Sequence, residues 1–156
     1  SSQAVVRTGR HLAEALACLA VEKLPIAVAG LNPHAGEGGL LGTEEHSIIE
    51  PAVNELNAVP GPFRYEGPLP AEAAFRQAAS GRYAGVVAMY HDQATIPCKL
   101  VDWASSVNVT WGLPFVRTSV DHGVGYEARR AGEHDPNAVA SGGMIAAMKL
   151  ALDLSA

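Results

Sequence analysis

Two short, unbroken apolar runs constrain this chain more than any other feature: Ile26-Ala-Val-Ala-Gly30 and Gly85-Val-Val-Ala-Met89. An apolar run of that length, without polar alternation, reads as a strand buried on both faces, as in a parallel sheet covered by helices. Around these runs the apolar spacing turns helical. Arg10 to Val21 carries Leu12, Leu16 and Leu19 on one stripe, and Ala71 to Ala79 reads as a further helix. Thr43 is placed to cap a helical segment with Glu44 and Glu45 in its first turn, and Pro51 to start a second one. Gly61 to Pro70 is turn-rich. Val107–Thr110 and Phe115–Thr118 read as short strands on either side of a Gly-Leu-Pro turn. Asp135-Pro136 opens a helix that runs through Ile145, Met148 and Leu152. Strands alternating with helices define an α/β fold.

The chain has 156 residues, 48% of them hydrophobic and 17% charged, which fits one α/β domain with a real core. A net charge of −5 and a pI near 5.6 exclude a broad nucleic-acid surface. They leave room for an anionic small molecule, which needs only a few local cations. No apolar run approaches the roughly 20 residues of a membrane span, and no basic-then-apolar leader opens the chain. No membrane partner is expected, and the cytoplasm is the expected compartment. Cys18 and Cys98 lack zinc-site spacing and are expected to be buried thiols in a reducing environment. The chain opens without Met and close to a helix, so a piece of a longer protein, cut near a domain boundary, is expected.

Both apolar runs end in a polar segment that carries a histidine: Asn32-Pro-His34 after the first, Tyr90-His91-Asp92-Gln93 after the second. Ligands of open α/β sheets bind beyond the carboxyl ends of the strands, so both imidazoles fall where chemistry is expected. Neutral imidazoles suit a divalent metal, and Asp92 suits a ligand or a group that orients one. Two structural histidines capping loops are the other reading. Gly36-Glu-Gly-Gly39 either aims backbone N–H groups at an anion or is a simple turn; it is neither a Walker A loop nor GxGxxG. Lys99, Asn108 and Arg117 are evenly spaced on or near predicted strands. They are either an anion clamp or charge on edge strands. Ser119, Asp121 and His122 lie too close in sequence for a hydrolytic triad, whose members converge from separate elements. His11, His46 and His134 have no assigned role.

Together these segments resemble the 4-hydroxythreonine-4-phosphate dehydrogenase family of pyridoxal phosphate biosynthesis. The resemblance rests on Gly-Leu-Asn-Pro-His34-Ala-Gly-Glu, Met-Tyr-His91-Asp92-Gln93, Val-Asn108-Val-Thr and Arg117-Thr-Ser-Val-Asp121-His122-Gly123, and runs from about Pro25 to the C-terminus. It covers the second half of the family's usual length. It implies an isocitrate/isopropylmalate dehydrogenase-like α/β/α architecture of which only the C-terminal part is present. It implies His34 and His91 as two of three metal-binding histidines, the third lying in the first half. It implies Lys99, Asn108 and Arg117 as substrate-binding, Asp92 and Lys99 as catalytic, and Asp121, His122 and Gly123 as a loop on the adenosine side of the cofactor. The implied cofactors are NAD or NADP and a divalent metal (Zn, Co, Mn or Mg). The implied assembly is a homodimer with its site at the subunit interface.

The implied function is metal-dependent oxidation and decarboxylation of 4-hydroxythreonine-4-phosphate. Two alternatives stand beside it. One is a related catabolic dehydrogenase of another anionic hydroxy acid, either a phosphorylated sugar acid or an aromatic dihydrodiol carboxylate. The other is a non-catalytic half-domain that keeps metal or anion affinity. The sequence departs from the family at Ala94, where glycine is usual, and at Ala71-Glu72-Ala73, where Ala-Asp-Thr is usual. It departs again at Val124 to Arg130, where Arg129 or Arg130 is expected to favour NADP through its 2′-phosphate.

Overall fold

The computed structural model describes residues 1–121 and 141–155, and the chain divides into two compact units, Ser1–Pro97 and Cys98–Ala156. The first unit is a parallel sheet with helices on both faces. Strands β1 (Ile26–Ala29), β2 (Tyr65–Leu69) and β3 (Gly85–Val87) lie in the order β2-β1-β3. Helices α1 (Ser2–Cys18), α2 (Glu50–Ala58) and α3 (Ala71–Ala79) cover them.

All four residues of β1 are fully buried, as its unbroken apolar run requires. Ile26 and Val28 point into a core formed with Val5, Val6 and Leu16 of α1 and Ala52, Val53 and Leu56 of α2. Ala27 faces the other way, onto Ala74 of α3 and Tyr83. Full burial of an Ile or Val side chain contributes about 1.5–3 kcal/mol, so β1 anchors both layers at once. Helix α1 starts earlier than its leucines indicate, because Val5, Val6 and Gly9 extend the buried stripe toward its N-terminus. Gly9 lets the helix approach closely: a Cβ there would lie 2.8 Å from Leu56 Cδ1. The buried Tyr65 hydroxyl donates to the Gly9 carbonyl at 3.0 Å.

Three expectations need correction. Gly61 to Pro70 contains a strand, β2, which pairs with β1 from Ile26↔Tyr65 to Ala29↔Leu69. The Glu66-Gly67-Pro68 sequence conceals it. Proline is tolerated in an edge strand, and Gly67 is needed for close approach, since a Cβ there would meet the Val28 carbonyl oxygen. Residues 91–101 form helix α4 (His91–Val101), so His91 opens a helix and Lys99 lies on one, not on or near a strand. Pro97 inside α4 disguises it, since its ring removes one intrahelical hydrogen bond. Cys18 and Cys98 are both free and exposed, contrary to the buried thiols expected, because each falls on the solvent side of its helix.

The second unit holds an antiparallel hairpin of β4 (Val107–Thr110) and β5 (Arg117–Val120) with helix α5 (Gly142–Asp153) against it. The Thr118 hydroxyl donates to the Ala147 carbonyl of α5 at 2.8 Å. The register Thr110↔Arg117 and Val107↔Val120 moves β5 two residues past its expected start. Phe115 and Val116 therefore sit exposed in the connecting loop. The expected helix start at Asp135-Pro136 lies outside the described residues. Among those described, no helix is long and apolar enough to cross a membrane.

Replacing Gly67 by Ala is expected to lower stability by about 1–3 kcal/mol, the usual cost of overpacking. Urea unfolding checks this, and an unchanged midpoint would refute the close approach of β2 to β1.

Candidate active site

The strand order β2-β1-β3 creates a switch point, because the chain leaves β1 for one side of the sheet and returns on the other. In parallel α/β sheets the crevice beyond the carboxyl ends at such a point is where ligands bind. His34 follows β1 and His91 follows β3, so the two imidazoles are carried by the two strands that flank it. A cleft of about 240 Å³ opens beside these strand ends, lined among others by Leu31, Glu44, Ile49, Val87 and Met89. Neither histidine lines it.

His34 sits in a left-handed stretch. From His34 to Gly38 every residue has positive φ, including the non-glycines His34 at 54°, Ala35 at 54° and Glu37 at 44°. Such backbone costs an ordinary residue roughly 1–2 kcal/mol and persists only where its surroundings enforce it. Enforcement comes from Glu45, which is only 5% exposed. Its Oε1 accepts the backbone N–H groups of Leu31 and Asn32, each at 2.7 Å, and its Oε2 accepts Asn32 Nδ2 at 2.9 Å. Burial pushes the Glu45 pKa up, but the N–H groups of Asn32 and Leu31 together outweigh it and hold the carboxyl below its ordinary range. Asn32 Nδ2 also donates to Glu44 at 2.8 Å and lowers that carboxyl as well. Gly36 completes the turn at φ 80°, where a Cβ would come within 2.8 Å of Glu45 Oε2.

His91 is exposed, and its Nδ1 pairs with Asp92 Oδ1 at 2.7 Å. A carboxylate on Nδ1 fixes the tautomer that leaves Nε2 as a lone-pair donor. That is the chemistry a divalent cation requires of an imidazole, so His91, with Asp92 behind it, fits a metal ligand. His34 adds a second exposed nitrogen donor at the same sheet edge. Among the described residues no three His, Cys, Asp or Glu side chains cluster closely enough to enclose a metal. The chain thus offers part of a donor set. Gln93, 8% exposed, lies next to this pair and ties the crevice: its Nε2 donates to the Gly30 carbonyl at 2.8 Å, and its Oε1 accepts the Met89 N–H at 2.7 Å.

The anion-binding candidates lie in the second unit. Asn108 pairs with Ser119, and Thr110 with Arg117, so Asn108 and Arg117 share one hairpin face. Thr118 points to α5, which leaves the Asn108/Arg117 face turned away from that helix. Arg117 Nη1 donates to Thr110 Oγ1 at 2.7 Å, which steadies the guanidinium. Lys99 Nζ lies 5.2 Å from the ring centre of Trp103, in the turn after α4, a cation–π contact. Asp121 accepts the Ser106 hydroxyl at 2.9 Å. The other cofactor-loop candidates, His122 and Gly123, lie outside the described residues, as do Arg129, Arg130 and His134. His11 and His46 pair with Glu14 and Glu50 on exposed helical surface.

Sequence reasoning missed Glu45 and Gln93. Glu45 had a signal: it falls on the helical stripe of Ile49, Ala52, Val53 and Leu56, an odd place for a charge. Gln93 had none.

Fold and strand order together define an α/β unit of the kind that binds small molecules beyond its strand ends. More narrowly, the chain belongs to the family of the pyridoxal phosphate biosynthetic protein PdxA, which it matches over residues 1–151. It is 45% identical over 157 aligned positions to a 4-hydroxythreonine-4-phosphate dehydrogenase of Caulobacter vibrioides, covering 100% of this chain and 45% of that protein. It is 48% identical over 130 positions to a D-threonate 4-phosphate dehydrogenase of Salmonella typhimurium, covering 83% and 38%. A crystal structure of a 4-hydroxythreonine-4-phosphate dehydrogenase from Burkholderia phymatum superposes with a TM-score of 0.78 at 39% identity, covering 99% of this chain and 45% of that one. The chain thus spans less than half the length of these relatives.

Glu45→Gln is expected to cost about 1–3 kcal/mol, because the half-buried Asn32 Nδ2 loses one of its two carboxylate acceptors and a charge-assisted bond with it. The sign with pH follows from a depressed pKa: the carboxylate's contribution is present above its ordinary value of 4.5 and is lost as pH falls through the lowered one. Acid unfolding of Glu45→Gln should therefore be less steep than the parent's below about pH 4.5. Equal acid slopes would show that the carboxyl titrates alike in the folded and unfolded states and would overturn the depressed pKa.

Proposed function

We propose that this chain is the C-terminal portion of a metal-dependent, NAD(P)-linked dehydrogenase that oxidises and decarboxylates 4-hydroxythreonine-4-phosphate. The observation that carries the reading is the placement of His34 and His91 just beyond the ends of the two strands flanking the switch point, in a chain of the PdxA family. The isocitrate/isopropylmalate dehydrogenase-like architecture, a homodimer with the site at its subunit interface, and a cytoplasmic location belong to the same proposal.

When bound, a divalent cation supplies Lewis-acid polarisation of the substrate hydroxyl, and NAD or NADP supplies the hydride acceptor. The chain's own residues do the rest. Asp92 holds Nδ1–H of His91 and keeps Nε2 available as a donor. Asn108 and Arg117, on one hairpin face, bind an anionic end of the substrate, with Arg117 suited to a bidentate grip. Lys99, held against Trp103, supplies a further cation for a carboxylate or phosphate. In the oxidation the carbinol carbon gives up a hydride and its oxygen a proton, leaving a β-keto acid. Loss of CO2 then leaves an electron pair on the α-carbon, which takes up a proton. Asp121, His122 and Gly123 are proposed to face the adenosine side of the cofactor, with Arg129 or Arg130 favouring NADP.

A second substrate reading has its own support. The Salmonella relative named for D-threonate 4-phosphate is as similar as the biosynthetic ones, so a phosphorylated sugar acid fits the same anion-binding residues.

The protein from its complete reading frame, given 4-hydroxythreonine-4-phosphate, is expected to reduce NAD or NADP in a chelator-sensitive way. His34→Ala or His91→Ala should strip the metal and the activity, and metal content equal to the parent's would overturn the ligand assignment. The 156 residues alone are expected to show no appreciable turnover. Turnover with D-threonate 4-phosphate only would decide for the second reading.

A further inference from the structure

Backbone pairing between β1 and β3 runs from Ile26↔Gly85 to Val28↔Val87 and goes no further. Beyond it the two chains lead to the two imidazoles, His34 four residues after Gly30 and His91 two residues after Met89. Across that gap lies the buried side chain of Gln93. Its amide takes the Gly30 carbonyl on one side, at 2.8 Å, and the Met89 N–H on the other, at 2.7 Å. The Gly30 N–H is already used on the opposite side, donating to Leu69 of β2 at 2.7 Å. Gly30 is thus fixed on both sides, by the backbone of β2 and by the Gln93 side chain of α4.

We propose that Gln93 is a positioning residue for the metal-binding edge: it sets the separation of the two strand-end segments and so of the His34 and His91 imidazoles. The inference rests on the metal reading given above. An apolar side chain of similar size would fill the same space but leave a buried carbonyl and a buried N–H without partners. The cheapest relief is for the crevice to open and admit water. Metal coordination tolerates errors of only about 0.2 Å in ligand distance, so a loosened strap registers in metal affinity well before the sheet itself fails. The position of Gln93, directly after His91 and Asp92, couples the strap to the imidazole–carboxylate pair through the first turn of α4.

The test is a metal titration of the full-length protein against a competing chromogenic chelator, with Co2+ and Zn2+, alongside steady-state kinetics. Gln93→Leu removes both bonds. Gln93→Glu keeps an acceptor for Met89 but sets a carboxylate against the Gly30 carbonyl. Both are expected to weaken metal binding about 10–100-fold and to lower kcat, with KM for the nicotinamide nucleotide little changed. Tyr83→Phe, which loses a 2.9 Å hydrogen bond to Glu66 in the same unit, is expected to bind metal like the parent. If Gln93→Leu does not fold, Gln93→Glu decides. Parent-like affinity in the Gln93 variants, with affinity lost in His91→Ala, overturns the strap and leaves the metal reading standing. Parent-like affinity in His91→Ala sinks the metal reading, and the strap with it.

Discussion

The first unit depends on how β1 ends. A strand buried on both faces carries its backbone polar groups into a region without water, and every one of them needs a partner. The sheet ladder supplies partners as far as Val28 on the β3 side. After that the chain turns out of the sheet through Gly30, Leu31 and Asn32, where two buried side chains take over. Gln93 accounts for the Gly30 carbonyl, and Glu45 for the N–H groups of Leu31 and Asn32. Each such group left unpaired would cost about 1–3 kcal/mol, a large share of a domain's net stability. The two side chains therefore belong to the fold as much as to the site.

Glu45 also decides the conformation of the turn that carries His34. A carboxylate with three donors aimed at it stays ionised despite its burial. An ionised group with those partners is a rigid anchor. Against it packs a left-handed stretch that includes three non-glycine residues. The strain of roughly 1–2 kcal/mol per residue is of the same order as the bonds that hold it. The turn is thus an enforced geometry, maintained at the sheet edge where its histidine is exposed. Strain stored beside a strand end fits a functional site better than a simple connection.

Much of this was legible in the residues. The unbroken runs at Ile26 and Gly85 marked the two parallel strands β1 and β3, β1 fully buried as expected and β3 buried only at Val87. They also put His34 and His91 at strand ends. Strand β2 was hidden, since Glu66, Gly67 and Pro68 are poor strand formers and succeed only at an edge, pressed against Val28. Helix α4 was hidden by its polar start and by Pro97. The placement of Asn108 and Arg117 on one hairpin face required the register, and the register depends on a loop longer than the Gly-Leu-Pro turn indicated. Gln93 was beyond reach for a different reason. Its partner carbonyl lies 63 residues away and belongs to the backbone, so no side-chain pattern records the contact.

The departures from the family's usual pattern take on physical meaning in this frame. Ala94 replaces a usual glycine immediately after Gln93, in the first turn of α4. Alanine stabilises a helical position over glycine by about 0.8–1.0 kcal/mol. The change therefore stiffens the turn that presents His91, Asp92 and the Gln93 strap. Glu72 stands where aspartate is usual, exposed in the first turn of α3. The negative charge at that helix N-terminus is kept, and it remains favourable to the helix dipole. Only its reach grows, by one methylene. Neither of these two changes removes a charge, whereas Ala73, where threonine is usual, removes a hydroxyl from the first turn of α3. They adjust rigidity and reach around the strand-end edge.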